Sequence, residues 1–313
     1  MANIWLIGAG TIAQEYAKIL NSLAIEYTVI GRGEKSAYTF KEKTGHDVII
    51  GGLDAFLNSN PKKPQKAIIA TPLCELSKNT ISLLKYGVSN IFCEKPGFQY
   101  PEELDEVYQL AISHDSHIYY AYNRRFFSSV FAAENIIQED GGIKSFTFEF
   151  TEWSHVIEKL KKPVGDLTNW MYANSSHVID LAFFLGGMPD SMSCYTHGSL
   201  SWHKPAVFAG AGITNTGALF SYQANWASPG RWGIEILTSK HRLYLRPMEK
   251  LQIQELGSIS ITDVQIDDSL DKMFKPGFYL QVKSFLNNDS QRLCSIIQQK
   301  QHIDNIFNRI IGG

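Results

Sequence analysis

The chain has 313 residues, of which 44% are hydrophobic and 19% charged, the profile of a globular protein with a sizeable core and not of a disordered or fibrous chain. Its 29 Lys and Arg against 31 Asp and Glu leave a formal charge of −2, so no general positive field argues for nucleic acid or an anionic membrane, and a small molecule is the expected partner. Cys74, Cys93, Cys194 and Cys294 stand far apart without a C-x-x-C pair, which speaks against a zinc site or a disulfide scaffold and for a reducing cytoplasm.

The N-terminus, Met1-Ala2-Asn3-Ile4-Trp5-Leu6-Ile7, has no basic stretch and runs straight into glycines, unlike a signal peptide. No apolar run reaches the roughly 18 residues of a membrane span. The length favours two domains. The first, residues 1–121, alternates apolar runs with helix-period segments: Ile4–Ile7, a helix near Ile12–Leu23, Tyr27–Ile30, Ala67–Ala70, a helix near Leu76–Tyr86 and Ile91–Cys93. Such alternation predicts βαβ units and a doubly wound parallel sheet of Rossmann type. Ile12, Tyr16, Ile19, Leu20 and Leu23 fall on one helical stripe. Pro101-Glu102-Glu103 suits the first turn of a further helix.

From Tyr122 the texture turns aromatic and β-rich, with Phe146-Thr147-Phe148-Glu149-Phe150, Ala218–Trp226, Gly233–Leu237 and His241–Leu245 as strands. Residues 122–313 therefore predict a second α/β domain with a large open, mostly antiparallel sheet. Asn174-Ser175-Ser176 has the composition of a helix cap, for a helix ending at Gly186-Gly187. The tail from Phe278 to Ile311 has a helical period.

Gly8-Ala9-Gly10-Thr11-Ile12-Ala13, between a strand and a helix, is the setting of the G-x-G-x-x-A fingerprint. There Gly8 permits the tight turn, Gly10 lets a pyrophosphate reach the helix N-terminus at Thr11 and Ile12, and Ala13 allows close packing. Where an NAD enzyme usually places an acid after the second strand, this chain has Gly31-Arg32-Gly33-Glu34-Lys35-Ser36. A guanidinium grips a 2′-phosphate, so Arg32 makes NADP the expected cofactor, with NAD possible. Ala70-Thr71-Pro72 and Cys93-Glu94-Lys95-Pro96 each follow an apolar strand, where open α/β sheets bind ligands.

As a set, G-x-G-x-x-A, A-T-P and E-K-P resemble the glucose–fructose oxidoreductase, inositol dehydrogenase and MocA family of pyridine-nucleotide oxidoreductases. Tyr122-Asn123-Arg124-Arg125-Phe126 resembles the family's crossing into its second domain, and Ser176-His177-Val178-Ile179-Asp180 its S-H-x-I-D segment. The resemblance implies cofactor contacts from Gly8, Gly10, Thr11, Ile12, Arg32, Thr71, Pro72, Glu94 and Lys95, and a substrate held between the nicotinamide and the second sheet. It further implies Lys95 as the group that hydrogen-bonds the reacting oxygen and His177 as the acid/base. His177 is expected in the first turn of its helix, where the dipole favours neutral imidazole. Two departures stand out: the family commonly has Asp where this chain has Ala173, and His beyond its T-P-N triplet, where Leu73-Cys74-Glu75-Leu76 stands here. Asp180 could stand beside His177, or serve the helix structurally. Trp153, His155, Trp170, Tyr172 and Asn174, with Tyr122, suit a sugar or another polyhydroxylated ring as well as they suit packing. The expected activity is NADP-dependent hydride transfer at a hydroxyl or keto carbon of a sugar derivative, by a homo-oligomer, dimer or tetramer, with no metal. The alternative is a dinucleotide-sensing regulator of the same fold without turnover, which Ala173 keeps open.

Overall fold

A computed structural model describes residues 3–312. The chain divides into two compact units: the residues up to Tyr122 together with Met273–Lys300, and Asn123–Lys272 together with the residues from Gln301 on.

The first unit is built on a seven-stranded sheet. Its strands are β1 (Ile4–Ile7), β2 (Tyr27–Ile30), β3 (Val48–Ile49), β4 (Lys66–Ile69), β5 (Asn90–Cys93) and β6 (His117–Tyr120), closed at one edge by Cys294–Ser295, which is β15 in chain order. The order β15-β6-β5-β4-β1-β2-β3 reverses direction between β1 and β4, the switch point at which doubly wound sheets open a crevice for ligands. All neighbours are parallel except β15 on β6. β1 and β4 are buried throughout, as a parallel sheet covered on both faces requires. The helix Thr11–Ser22 buries Ala13, Tyr16, Ala17, Ile19 and Leu20. Ile12 and Leu23, expected on that stripe, are half-buried, so the two small alanines and not the flanking aliphatics set the helix against the sheet.

The helical tail does not stay with the second unit, as one crossing near Tyr122 would require. Met273–Lys300 returns to the first, and the contacts that hold it there are specific. The Lys66 ammonium donates to the carbonyls of Phe285 and Leu286 and to Asn288 Oδ1, Phe285 stacks on Phe92 at 5.1 Å, and Gln299 donates to the Pro96 carbonyl at 2.9 Å. Period reveals that a segment is helical but not which sheet it covers.

The second unit carries an eight-stranded sheet in the order β14-β13-β12-β11-β7-β10-β9-β8. The strands are β7 (Ser145–Glu149), β8 (Pro189–His197), β9 (Val207–Thr214), β10 (Leu219–Asn225), β11 (Gly233–Leu237), β12 (His241–Leu245), β13 (Gln252–Glu255) and β14 (Thr262–Asp263). Only β7 and β10 run parallel; the other pairings are antiparallel. Period-two alternation puts Phe146 and Phe148 inward. There they pack with Phe183 of the helix Ser176–Gly186 and with Phe220 and Tyr222 of β10, at 5.3–6.0 Å between ring centroids. Each such buried ring contributes roughly 1.5–3 kcal/mol relative to an exposed one. The opposite face leaves Tyr195, Ile213 and Leu219 exposed. No described helix is long and apolar enough to cross a membrane.

Candidate active site

In the first unit the sequence motifs meet at the carboxyl ends of adjacent strands. Ile7 pairs in register with Ile30 and Ile69, and Ile69 with Cys93. The next residues continue the ladder, with the Gly8 N–H donating to Ile30 O, Ala70 N–H to Ile7 O and Glu94 N–H to Ile69 O. Gly8 has φ +119°, and a Cβ there would lie 2.3 Å from the Ala70 carbonyl oxygen. Only glycine fits, on conformational and steric grounds alike. A Cβ on Gly10, by contrast, would meet nothing within 4 Å. Gly10 caps the helix Thr11–Ser22 with no side-chain hydrogen bond to the first-turn amides and no acidic residue in that turn. Open space before uncapped amides at the positive end of a helix fits a pyrophosphate.

The flanks of this crevice are also defined. No carboxylate ends β2; Arg32 lies there, largely exposed, 3.3 Å from Glu75 in the first turn of the helix Leu73–Tyr86. That helix starts at Leu73, directly after Pro72, a turn earlier than its apolar period indicates. Asn79 donates to Thr71 Oγ1 at 3.1 Å and holds the A-T-P turn. Glu94 accepts a 2.6 Å hydrogen bond from Tyr16, which ties the E-K-P segment to the helix of the glycine loop. Burial pushes the Glu94 carboxyl up against the hydrogen bond from Tyr16 and the nearby positive charge of Lys95. Lys95 is half-buried beside it.

The second unit gathers a different set. His177 is buried, but it does not sit at a helix start. Trp170 is already helical, and a π-helical turn, Met171–Ser175, runs directly into Ser176–Gly186. Asn174-Ser175-Ser176 therefore caps nothing, and the dipole argument for a neutral His177 falls away. The side chains meant for capping turn to another partner. Asn174 Nδ2 donates to both oxygens of Glu152 at 3.0 and 3.2 Å, and Ser175 Oγ donates to one of them at 2.7 Å. Burial raises the Glu152 carboxyl above the usual range, against those hydrogen bonds and the charge of Arg231.

Glu152 was not singled out by sequence reasoning, nor were Arg231 and Trp232, which stand with it, and Arg124 entered only within the Tyr122–Phe126 motif, with no role. A signal existed for Glu152, because it continues the inward parity of Phe146, Phe148 and Phe150 with a carboxylate. Trp232 lies 6.3 Å from the His177 ring and faces both arginines. Trp153 is half-exposed, donating to the Gly230 carbonyl, with Arg231 over its ring. Trp170 packs edge-on against Trp202, and its indole N–H also bears on the Glu152 carboxyl. Tyr172 is buried and donates to Asn308, while His155 is exposed. Tyr122 is buried at the end of the first unit's opening segment. Asp180 serves the structure, taking two hydrogen bonds from Arg125 at 2.9 and 2.5 Å in a fully buried pair. That pair joins the Tyr122–Phe126 and Ser176–Asp180 segments.

The fold and the glycine crevice define a dinucleotide-binding α/β protein. Residues 2–122 match the model of an oxidoreductase family with an NAD-binding Rossmann fold, GFO_IDH_MocA, and the N-terminal part of the chain is a Rossmann domain of that kind. No curated protein matches the chain by sequence. Solved structures share the fold over both units. Levoglucosan dehydrogenase in complex with NADH is similar at 16% identity and a TM-score of 0.78, covering 99% of this chain and 96% of that one. A Desulfitobacterium hafniense protein named for NADPH-dependent oxidoreduction has 15% identity and a TM-score of 0.78, over 97% and 93%. The WlbA dehydrogenase of Chromobacterium violaceum, in complex with NADH and UDP-GlcNAcA, has 16% identity and a TM-score of 0.72, over 99% and 93%.

Proposed function

We propose that the protein is an NADP-dependent oxidoreductase acting on a hydroxyl or keto carbon of a sugar or sugar derivative in the cytoplasm. The observation that carries this reading is the convergence of the glycine loop, the A-T-P turn and the E-K-P segment on one crevice, with open space before Gly10 and an arginine where an acid would select NAD. When bound, a nicotinamide dinucleotide supplies the hydride chemistry. The chain's own groups then have distinct roles. The first-turn amides at Thr11 and Ile12 and the backbone at Gly8 and Gly10 take the pyrophosphate, Thr71, Pro72 and Glu94 shape the crevice wall, and Arg32 takes the 2′-phosphate. Lys95 donates a hydrogen bond to the reacting oxygen, stabilising charge that grows in the transition state. His177 accepts or returns the hydroxyl proton, and Asn174, Trp153, Trp170 and Tyr122 bound the substrate.

Turnover tests it. With a panel of sugars and sugar derivatives, Lys95→Met should lower kcat by several orders of magnitude while NADPH affinity stays within a few fold, and His177→Asn should lower the rate roughly 10²–10⁴-fold. Near-normal activity in either variant rejects the role assigned to it. Ala173, in place of the related enzymes' aspartate, favours one other reading, a dinucleotide sensor. NADPH binding without turnover on any compound selects that reading. A homo-oligomer, dimer or tetramer, formed through the open sheet face is also proposed, since Tyr195, Ile213 and Leu219 are 69, 36 and 60% exposed there. Leu219→Lys should then yield a monomer in sedimentation; an unchanged assembly excludes that face.

A further inference from the structure

Trp232 is the hub of a charged cluster that the motifs do not account for. The guanidinium carbons of Arg124 and Arg231 each lie 4.8 Å from its ring, and Arg231 also covers Trp153 at 4.7 Å. Two like charges against one indole repel, and a ring face gives each only about 0.5–2 kcal/mol. The neighbouring carboxylates do not resolve this. Arg231 comes no nearer to Glu152 than 3.7 Å, and the oxygens of Glu152 already accept from Asn174 and Ser175. Arg124 forms no ion pair among the described residues, and its buried Nε makes no hydrogen bond there. Burial and the charge of Arg231 both disfavour its cation, whose pKa is lowered to about 10, and Glu249 and Glu152 offset this only from a distance. A buried donor without an acceptor is costly, and a guanidinium fork is matched best by a carboxylate or a phosphate. The cluster can also be reached from solvent, since the side chain of Arg231 is 47% and Trp153 is 48% exposed.

We propose that the substrate carries an anionic group, a carboxylate or a phosphate, which Arg124 and Arg231 bind against Trp232 beside His177. This rests on the oxidoreductase reading for the role of the bound molecule as substrate, but the binding itself does not. A neutral sugar could accept a hydrogen bond from Arg124 but would leave the two guanidinium charges without a counter-charge.

Isothermal titration of the full chain with D-glucuronate, D-glucose 6-phosphate and D-glucose tests the proposal without requiring turnover. At least one anion should bind about tenfold or more tightly than glucose, and Arg124→Met and Arg231→Gln should each remove that advantage. Glucuronate alone would identify a carboxylate and glucose 6-phosphate alone a phosphate; both results support the site. Arg231 is exposed enough that its replacement leaves the fold intact, so Arg231→Gln decides if Arg124→Met fails to fold. Glucose binding as tightly as both anions, no binding by either anion, or anion binding unchanged in Arg231→Gln overturns the proposal. Arginine-dependent anion binding with no NADPH oxidation on any compound leaves this site standing and removes the oxidoreductase reading instead.

Discussion

A 2′-phosphate arriving at the end of β2 would find the Arg32 guanidinium already 3.3 Å from the Glu75 carboxylate. Both groups reach solvent, so the pair contributes only about 0–1 kcal/mol, and a phosphate can displace the carboxylate as partner. NADPH should therefore bind at least about tenfold more tightly than NADH, since a charge-assisted contact is worth roughly 1.5–3 kcal/mol. Arg32→Ala should erase most of that preference. Glu75→Gln should tighten NADPH and leave NADH unmoved, because it removes a negative charge beside the phosphate. Fluorescence titration reads all three, and equal dissociation constants in the unmodified protein reject the assignment. The place of Arg32 after β2 was legible because an acid is missing from a known place in a βαβ unit. Glu75 was not, because it comes from 43 residues further along the chain and faces Arg32 only through the order of β4, β1 and β2.

Among the elements, the helix that carries His177 shows where local reading fails. Asn174-Ser175-Ser176 has cap composition, yet the chain is already helical before it, and a π turn shifts the register so that Asn174 and Ser175 hold the Glu152 carboxylate. Nothing local marks an i+5 turn; such turns recur at functional sites because they re-aim side chains. Four strands of the second sheet, β7, β10, β11 and β12, were readable, β7 because Phe146 and Phe148 alternate with polar residues, a pattern that needs no partner to be seen; β8, β9, β13 and β14 were not named. The Arg125–Asp180 pair had each member inside a quoted motif, but its closure could not be seen before the helix was placed. Burial pushes the Asp180 carboxyl up, and Arg125 and His302 more than offset it, holding it below the ordinary range. Asp180→Asn should thus cost about 3–5 kcal/mol by stranding a buried guanidinium. Urea unfolding measures this, and a loss under about 1 kcal/mol would show the pair to be dispensable.

For the molecule as a whole, the buried His203 and His302 weaken the fold as pH falls below about 6.5, ahead of the opposite contribution that the raised carboxyls of Glu94 and Glu152 make at lower pH. Burial lowers both His203 and His302 below the ordinary imidazole value. As pH falls below about 6.5 the unfolded chain takes up these protons and the fold does not, so stability declines by up to about 1.4 kcal/mol per pH unit for each. Above that pH the penalty vanishes, and Asp180, depressed in turn, keeps its contribution until well into acid. Urea midpoints measured on either side of pH 6.5 should fall on the acid side; a flat profile rejects the account. The return of Met273–Lys300 to the first sheet has a consequence for how the protein is made. The strand β15 and the helix over Phe92 and Lys66 are synthesised late, after the whole second sheet. On the ribosome the nucleotide-binding half therefore waits, with one sheet edge open and the Lys66 ammonium lacking its carbonyl acceptors, until the second sheet has emerged. Residues 2–122 match one family model, yet the compact unit they belong to also takes in Met273–Lys300, so cutting the gene at that boundary separates the sheet from its own edge strand.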